Sequence, residues 1–183
     1  MYTKDKLSTT TIVLHWIVGL FMIYMLASGL VMEDLEADWL FDSHTSIGVL
    51  TFVVVVPRLI WRYMKGWPKS VGNYSKFEKI SGEIVHWILL GSTFLMPLSG
   101  IMMAIGGGHG VEFFAIEIWP GVSDPANPEE SLVVYPLIEQ LGGKVHFLVG
   151  SNFLPIALVL HIAGALKHHV IDKDATLTRM LKN

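Results

Sequence analysis

Five histidines of this 183-residue chain, His15, His44, His86, His146 and His161, fall inside or at the ends of long uncharged stretches, and His168 follows the last of them. An ionisable side chain in an apolar segment is costly and usually marks function, and imidazole can serve as a proton carrier or a metal ligand. Cys is absent, which removes disulfides, thiolate nucleophiles, cysteine-bound zinc, iron–sulfur clusters and the C-x-x-C-H attachment of c-type haem. Any metal is therefore held by nitrogen or oxygen. Gly19, Gly48 and Gly150 stand four residues after His15, His44 and His146, and His161 is followed by Gly164 and Ala165. Position i+4 shares a helix face with i, so small residues there leave room for a flat macrocycle to approach the backbone. Two imidazoles from facing helices would fill both axial positions of a b-type haem, leaving no site for oxygen and making an electron carrier. Taken singly, each histidine is more often an interhelical hydrogen-bonding residue than a ligand; it is their number and spacing together that point to a metal.

The elements that position these residues follow from bilayer thickness. A hydrocarbon core of about 30 Å needs roughly 20 apolar helical residues. Stretches at about 11–32, 44–64, 84–105 and 145–166 approach this, in a chain that is 52% hydrophobic and 16% charged. The reading is all-α: one integral membrane four-helix bundle over 1–183, with an outer loop at about 106–144 rich in Gly, Pro and Asn. The first stretch is too long, and too poorly flanked by a cleavage site, for a signal peptide. Lys4, Lys6, Arg58, Arg62, Lys65, Lys69, Lys76, Lys79, Lys167, Lys173, Arg179 and Lys182 fall on one side of the bundle, and Lys144 is the remaining basic residue. Short basic loops stay in the cytoplasm, so both termini are expected inside a bacterial inner membrane. The other side carries eleven carboxylates, Glu33, Asp34, Glu36, Asp38, Asp42, Glu112, Glu117, Asp124, Glu129, Glu130 and Glu139. A net charge of −3 and a pI near 6.2 set nucleic acid aside.

Threading the stretches alternately through the bilayer sorts the histidines into two layers. His44 and His146 lie near the outer face; His15, His86 and His161 lie about two turns from the inner one. An iron takes two axial ligands, so His15 and His161 are assigned to an inner haem, His44 and His146 to an outer haem, and His86, followed by Leu90 rather than a small residue, stands beside the inner iron. His146 and His161 are 15 residues apart, which on a regular helix leaves them about 60° out of line and about 22 Å apart. Arg58 and Arg62, four apart on one face, are candidates for pairing with haem propionates, although topology-setting charge is the stronger explanation. The tryptophans read as interfacial anchors, and His109 receives no role.

The motifs LHW at Leu14 to Trp16, HTSIG at His44 to Gly48, PRLIWR at Pro57 to Arg62 and HIAGALKHH at His161 to His169, followed by IDKDATLTRML, resemble the bacterial cytochrome b561 family over nearly the whole chain. The resemblance implies two b haems, the inner one held from helices one and four and the outer one from helices two and four. It also implies electron exchange with quinone, and one similar branch oxidises superoxide on the periplasmic side and reduces ubiquinone. His168, seven residues after His161 and about 10 Å nearer the cytoplasm, is the expected quinone contact. The His146 to His161 spacing is one residue longer than the resemblance leads one to expect, and a π-bulge or a kink at Pro155 is the expected remedy. The acidic exterior penalises an anion such as superoxide and favours a cationic partner. The expected function is electron transfer between the periplasmic side and the quinone pool, with superoxide:ubiquinone oxidoreductase as its sharpest form. The alternative is a membrane anchor and conduit for a separate, basic periplasmic redox protein.

Overall fold

The structure is a computed structural model that describes residues 6–114 and 116–181; Lys4 and Lys182, part of the basic charge pattern, lie outside them. Among the described residues, four helical stretches are long and apolar enough to cross a membrane, as the composition leads one to expect. The first, α1 (Thr9–Leu35), opens where Ser8 Oγ accepts the amide hydrogen of Thr11. A short turn leads to α2 (Asp38–Lys65), which has Asp38 in its first turn and Arg62 and Lys65 in its last. That placement opposes both ends of the helix dipole. Gly66, at φ 67°, terminates α2 in a conformation that disfavours other residues. The third helix, α3 (Lys76–Gly106), starts with a reciprocal capping box between Ser75 and Glu78.

The fourth crossing is continuous from Pro136 to Val170 and built in three parts: α4 (Pro136–Leu148), a π-helical turn (Val149–Phe153) and α5 (Leu154–Val170). The π turn ends at Phe153, two residues before Pro155, lies between His146 and His161, and absorbs one residue of their spacing. All four crossings begin earlier than apolar composition suggests, the fourth by nine residues. For the fourth, start signals in the first turn combine with a tertiary contact to α3. Pro136 is favoured at a helix start, Glu139 suits the positive end of the dipole, and Gly142 brings α4 against α3. A Cβ on Gly142 would stand 2.8 Å from Ser99 O, and one on Gly106 would stand 2.5 Å from Glu139 N. These glycines therefore set a close helix contact rather than a loop.

The connection between α3 and α4 contains an antiparallel hairpin, β1 (Val111–Phe113) and β2 (Ile116–Trp119), and an isolated bridge from Ser123 to Ser131. The Phe114 amide donates to Ser46 Oγ at 2.8 Å, which ties the hairpin to α2. At the opposite end a short α6 (Thr178–Leu181) folds the tail back. Trp16 Nε1 donates to Met180 O at 2.7 Å, and Arg179 Nη1 donates to Lys69 O at 2.9 Å.

The bundle is apolar outside and partly polar inside. Leu20, Ile60, Ile84, Val159 and Leu160 are exposed, a pattern a water-soluble surface would not sustain. Inside, Val18, Met22, Val55, Val149 and Leu154 form a small apolar cluster, while Ser28, His44, Ser46, Thr51, Ser92, Thr93 and Ser99 are also buried. Association of helices in lipid rests on such small and polar residues, because apolar side chains gain little by leaving hydrocarbon.

Candidate functional site

The histidines gather at two levels. At the end that carries the acidic loops, the ring centroids of His44 on α2 and His146 on α4 are 6.2 Å apart. At the basic end, those of His15 on α1 and His161 on α5 are 6.0 Å apart. Imidazole nitrogens each about 2 Å from a shared metal would put their ring centroids roughly 6 Å apart. His86 on α3 approaches His161 more closely, at 5.2 Å, and stacks on Trp67 at 5.6 Å. The third imidazole of the basic end is thus packed against a neighbour and an indole. Trp67 does more here than anchor the chain at an interface.

At the acidic end, hydrogen bonds fix which nitrogen bears the proton. Met96 O lies 3.1 Å from His146 Nδ1, and a carbonyl only accepts, so Nδ1 carries hydrogen and Nε2 keeps its lone pair. For His44, Nδ1 lies 2.8 Å from Ser28 Oγ, whose own hydrogen is directed to Met25 O. Nδ1 then donates to the serine, and Nε2 is again the free acceptor. That His44 Nε2 is buried with no hydrogen-bond partner. An orphaned buried acceptor facing a second ring of the same tautomer fits a metal held between two imidazoles. Glycine makes room for both rings: a Cβ on Gly29 would come 3.2 Å from His44 Cε1, and one on Gly100 would come 3.4 Å from His146 Cε1. Neither glycine has a sequence spacing to its histidine that reveals the contact, because each sits on a different helix.

The basic end fits less fully. Arg58 Nη2 stands 3.4 Å from His15 Nδ1, and a guanidinium only donates, so His15 presents the opposite tautomer. Arg58 and His15 must separate, or the ring turn over, before Nε2 offers a lone pair. Arg58 is thereby within reach of whatever the basic-end pair holds. Arg62 is engaged elsewhere, donating to Gly66 O at 3.0 Å and lying 4.8 Å over the Trp67 ring. Of the i+4 glycines, Gly19 borders open space, while Gly48 and Gly150 face the flexible tips of Met25 and Met96.

His168 lies on α5 away from both pairs. Its Nδ1 is 2.8 Å from Asp172 Oδ2 and 3.3 Å from Asp174 Oδ2, and its ring centroid is 4.4 Å from that of Tyr74. Tyr74 Oη donates to Asp174 Oδ2 at 2.5 Å and lies 2.9 Å from Thr176 Oγ1. Lys167 pairs with Glu78 and, at 2.8 Å, with Asp172. Burial draws the Asp174 carboxyl upward, but hydrogen bonds from Tyr74 and Thr176 and the nearby His168 outweigh it and hold it below its ordinary range. Burial and the Asp174 carboxylate push the Tyr74 phenol up. Among the described residues, His168, Asp172 and Asp174 form a group whose candidate ligand atoms lie within 4.8 Å of one another. An open groove lined by His169, Lys173, Asp174, Ala175 and Thr178 runs beside it. Sequence singles out His168 but not the residues that surround it here; the i, i+4 spacing of His168 and Asp172 is the available signal.

A family model described as prokaryotic cytochrome b561 matches residues 6–183. The chain is 27% identical to cytochrome b561 homolog 2 of Escherichia coli (strain K12) over 98% of its own length and 93% of that protein's. It is 28% identical to cytochrome b561 homolog 1 of the same organism, over 97% of each chain. To the probable superoxide oxidase CybB of Yersinia pestis it is 26% identical, over 96% of each chain.

Proposed function

We propose, from the premise that this chain belongs to the prokaryotic cytochrome b561 family, that it carries two b haems and moves electrons between the periplasmic side of the bacterial inner membrane and the quinone pool. Membership makes it a multi-pass membrane b-type cytochrome of electron transfer, with four crossings of suitable length. The finer reading assigns His44 and His146 to one haem iron and His15 and His161 to the other, with Arg58 as the better placed candidate for a propionate and Arg62 as the lesser one. When bound, haem held by two histidines supplies one-electron transfer with no open position for oxygen. The observation that carries the reading is the buried, unpartnered His44 Nε2 beside His146.

The residues around the irons act by orientation. Ser28 and Met96 O hold the two Nδ1–H groups at the acidic end, so both Nε2 lone pairs are committed before a metal arrives. Gly29 and Gly100 let the rings lie close to neighbouring backbone. His168 faces the quinone at the basic end, taken as cytoplasmic because short basic loops stay there.

The similarity to a probable superoxide oxidase favours superoxide as the periplasmic reductant. The acidic face favours the second reading, a conduit for a basic periplasmic redox protein. Stopped-flow mixing of the oxidised, haem-loaded protein with superoxide, at low and high ionic strength and with quinone present, separates them. Rapid haem reduction coupled to quinone supports the oxidase; no reaction at either ionic strength supports the conduit.

A further inference from the structure

We propose that Asp172 and Asp174 are positioning residues for quinone protonation, a carboxylate pair that holds the His168 ring by Nδ1–H and turns Nε2–H toward a quinone carbonyl. The inference rests on the assignment of the quinone to His168 made above. Its basis is geometric. An ionised carboxylate can only accept, so the 2.8 Å contact makes His168 Nδ1 the donor to Asp172 and fixes the ring about its long axis. Asp174 Oδ2, 3.3 Å from the same nitrogen, is itself fixed by the Tyr74 hydroxyl and by the Thr176 amide, which donates to Asp174 Oδ1 at 2.7 Å. The Tyr74 ring packs against the imidazole, tilted by 43° with the centroids 4.4 Å apart. A Cβ on Gly72 would meet the Tyr74 ring at 2.8 Å, so a glycine at that position admits that ring. Such a cage keeps one imidazole nitrogen aimed, as a proton donor needs.

The reaction balances as follows. Quinone takes up two electrons, delivered singly from the outer-side reductant, and two protons, and becomes quinol. Each electron is matched by the Nε2 proton of doubly protonated His168, which forms an O–H bond on the quinone as the N–H bond breaks. The ring returns to its neutral form with Nδ1–H still on the carboxylates. Water in the adjoining groove, lined by His169, Lys173 and Asp174, restores the Nε2 proton. The charged and titratable groups around the ring are Asp172 and Asp174 on the tail, Tyr74 on the connection before α3, Lys167 on α5, and Glu78 on α3 acting through Lys167. The two carboxylates oppose the positive ring, and Lys167, paired with Asp172 and Glu78, has its charge offset.

The test uses haem-loaded, detergent-purified protein, a short-chain ubiquinone as oxidant of the reduced haems, and separate equilibrium binding of that quinone. Asp172→Asn is expected to lower the maximal rate about tenfold, a fraction of the 100-fold or more typical of a general acid, while quinone affinity and the haem spectrum stay near wild type. The rate in D2O falls further in the variant than in wild type, and Asp172→Glu restores most of it. Asp174→Asn behaves in the same direction. If both asparagine variants react at wild-type rate while His168→Asn is slow, the carboxylates have no part and the quinone assignment survives. If His168→Asn reacts and binds quinone normally, the assignment itself fails and the inference with it. Loss of affinity and rate together in Asp172→Asn, with no recovery in Asp172→Glu, makes the pair merely structural and overturns the proposal.

Discussion

His44 Nδ1 lies 2.8 Å from Ser28 Oγ across the α1–α2 interface, and this one hydrogen bond decides that the opposite nitrogen of the ring is a bare, buried acceptor. The serine is held in turn by its own contact to Met25 O at 3.2 Å. A backbone carbonyl therefore sets the tautomer of a histidine on another helix. Ser28→Ala removes the middle of that chain. We expect haem at the His44/His146 site to bind about 10-fold to 100-fold more weakly, as when the hydrogen-bond partner of a ligating histidine is removed. Haem retention during dilution, followed by the Soret band, checks this; unchanged retention would remove Ser28 from the account.

Gly29 tests the same ring from its other side. A Cβ there stands 3.2 Å from His44 Cε1, so Gly29→Ala crowds the ring and Gly29→Val displaces it. The valine variant should purify with the His44/His146 haem lost and the other retained. Gly143, whose Cβ would meet nothing within 4 Å, is the control, and Gly143→Ala should be spectrally silent.

The main lines of the fold were legible because lipid demands about 20 apolar residues per crossing and the chain supplies four such runs. The π turn was one of two remedies, with a kink at Pro155, expected because the family resemblance implies a His146 to His161 spacing one residue shorter, and Val149–Phe153 supplies it. The start of the fourth crossing was not legible, because Glu139, Gly142, Gly143 and Lys144 read as loop when only a tertiary contact with α3 makes them helix. The partners of the histidines, Ser28, Gly29, Met96, Gly100 and Tyr74, sit on other elements than the rings they touch. A period within one helix carries no information about which neighbour it will face. His86 illustrates the limit: its depth was readable, but its stacking on Trp67 was not.

The tail should loosen in acid. Hydrogen bonds from Tyr74 and Thr176 leave the folded Asp174 carboxyl below its unfolded value. Its contribution is therefore fully present above the ordinary carboxylate range and lost as pH falls through the depressed folded value. A hydrogen bond to a charged group is worth about 1.5–3 kcal/mol, enough to change local opening roughly tenfold or more. Protection factors across residues 171–181, taken relative to the intrinsic exchange rate at each pH, should fall on acidification in the wild type. Asp174→Asn should be less protected at neutral pH and respond less to acid, and identical profiles would contradict the assignment.

Arg58 separates the two basic-end arginines. Its Nη2 reaches His15, whereas Arg62 is engaged by Gly66 and Trp67. Arg58→Met should shift the midpoint potential of the His15/His161 haem and leave the other unmoved, while Arg62→Met should act mainly on stability. Spectroelectrochemical titration reads both. A shift produced only by Arg62→Met would reverse the propionate assignment.

The central claim is two haems, each gripped by a pair of imidazoles, and pyridine haemochrome quantification against protein mass tests it most directly. We predict two haems per polypeptide in the wild type, one in His44→Ala or His146→Ala, one in His15→Ala or His161→Ala, and two in His86→Ala. A wild-type value of one or less, or a basic-end haem that disappears with His86→Ala and survives His15→Ala, would contradict it.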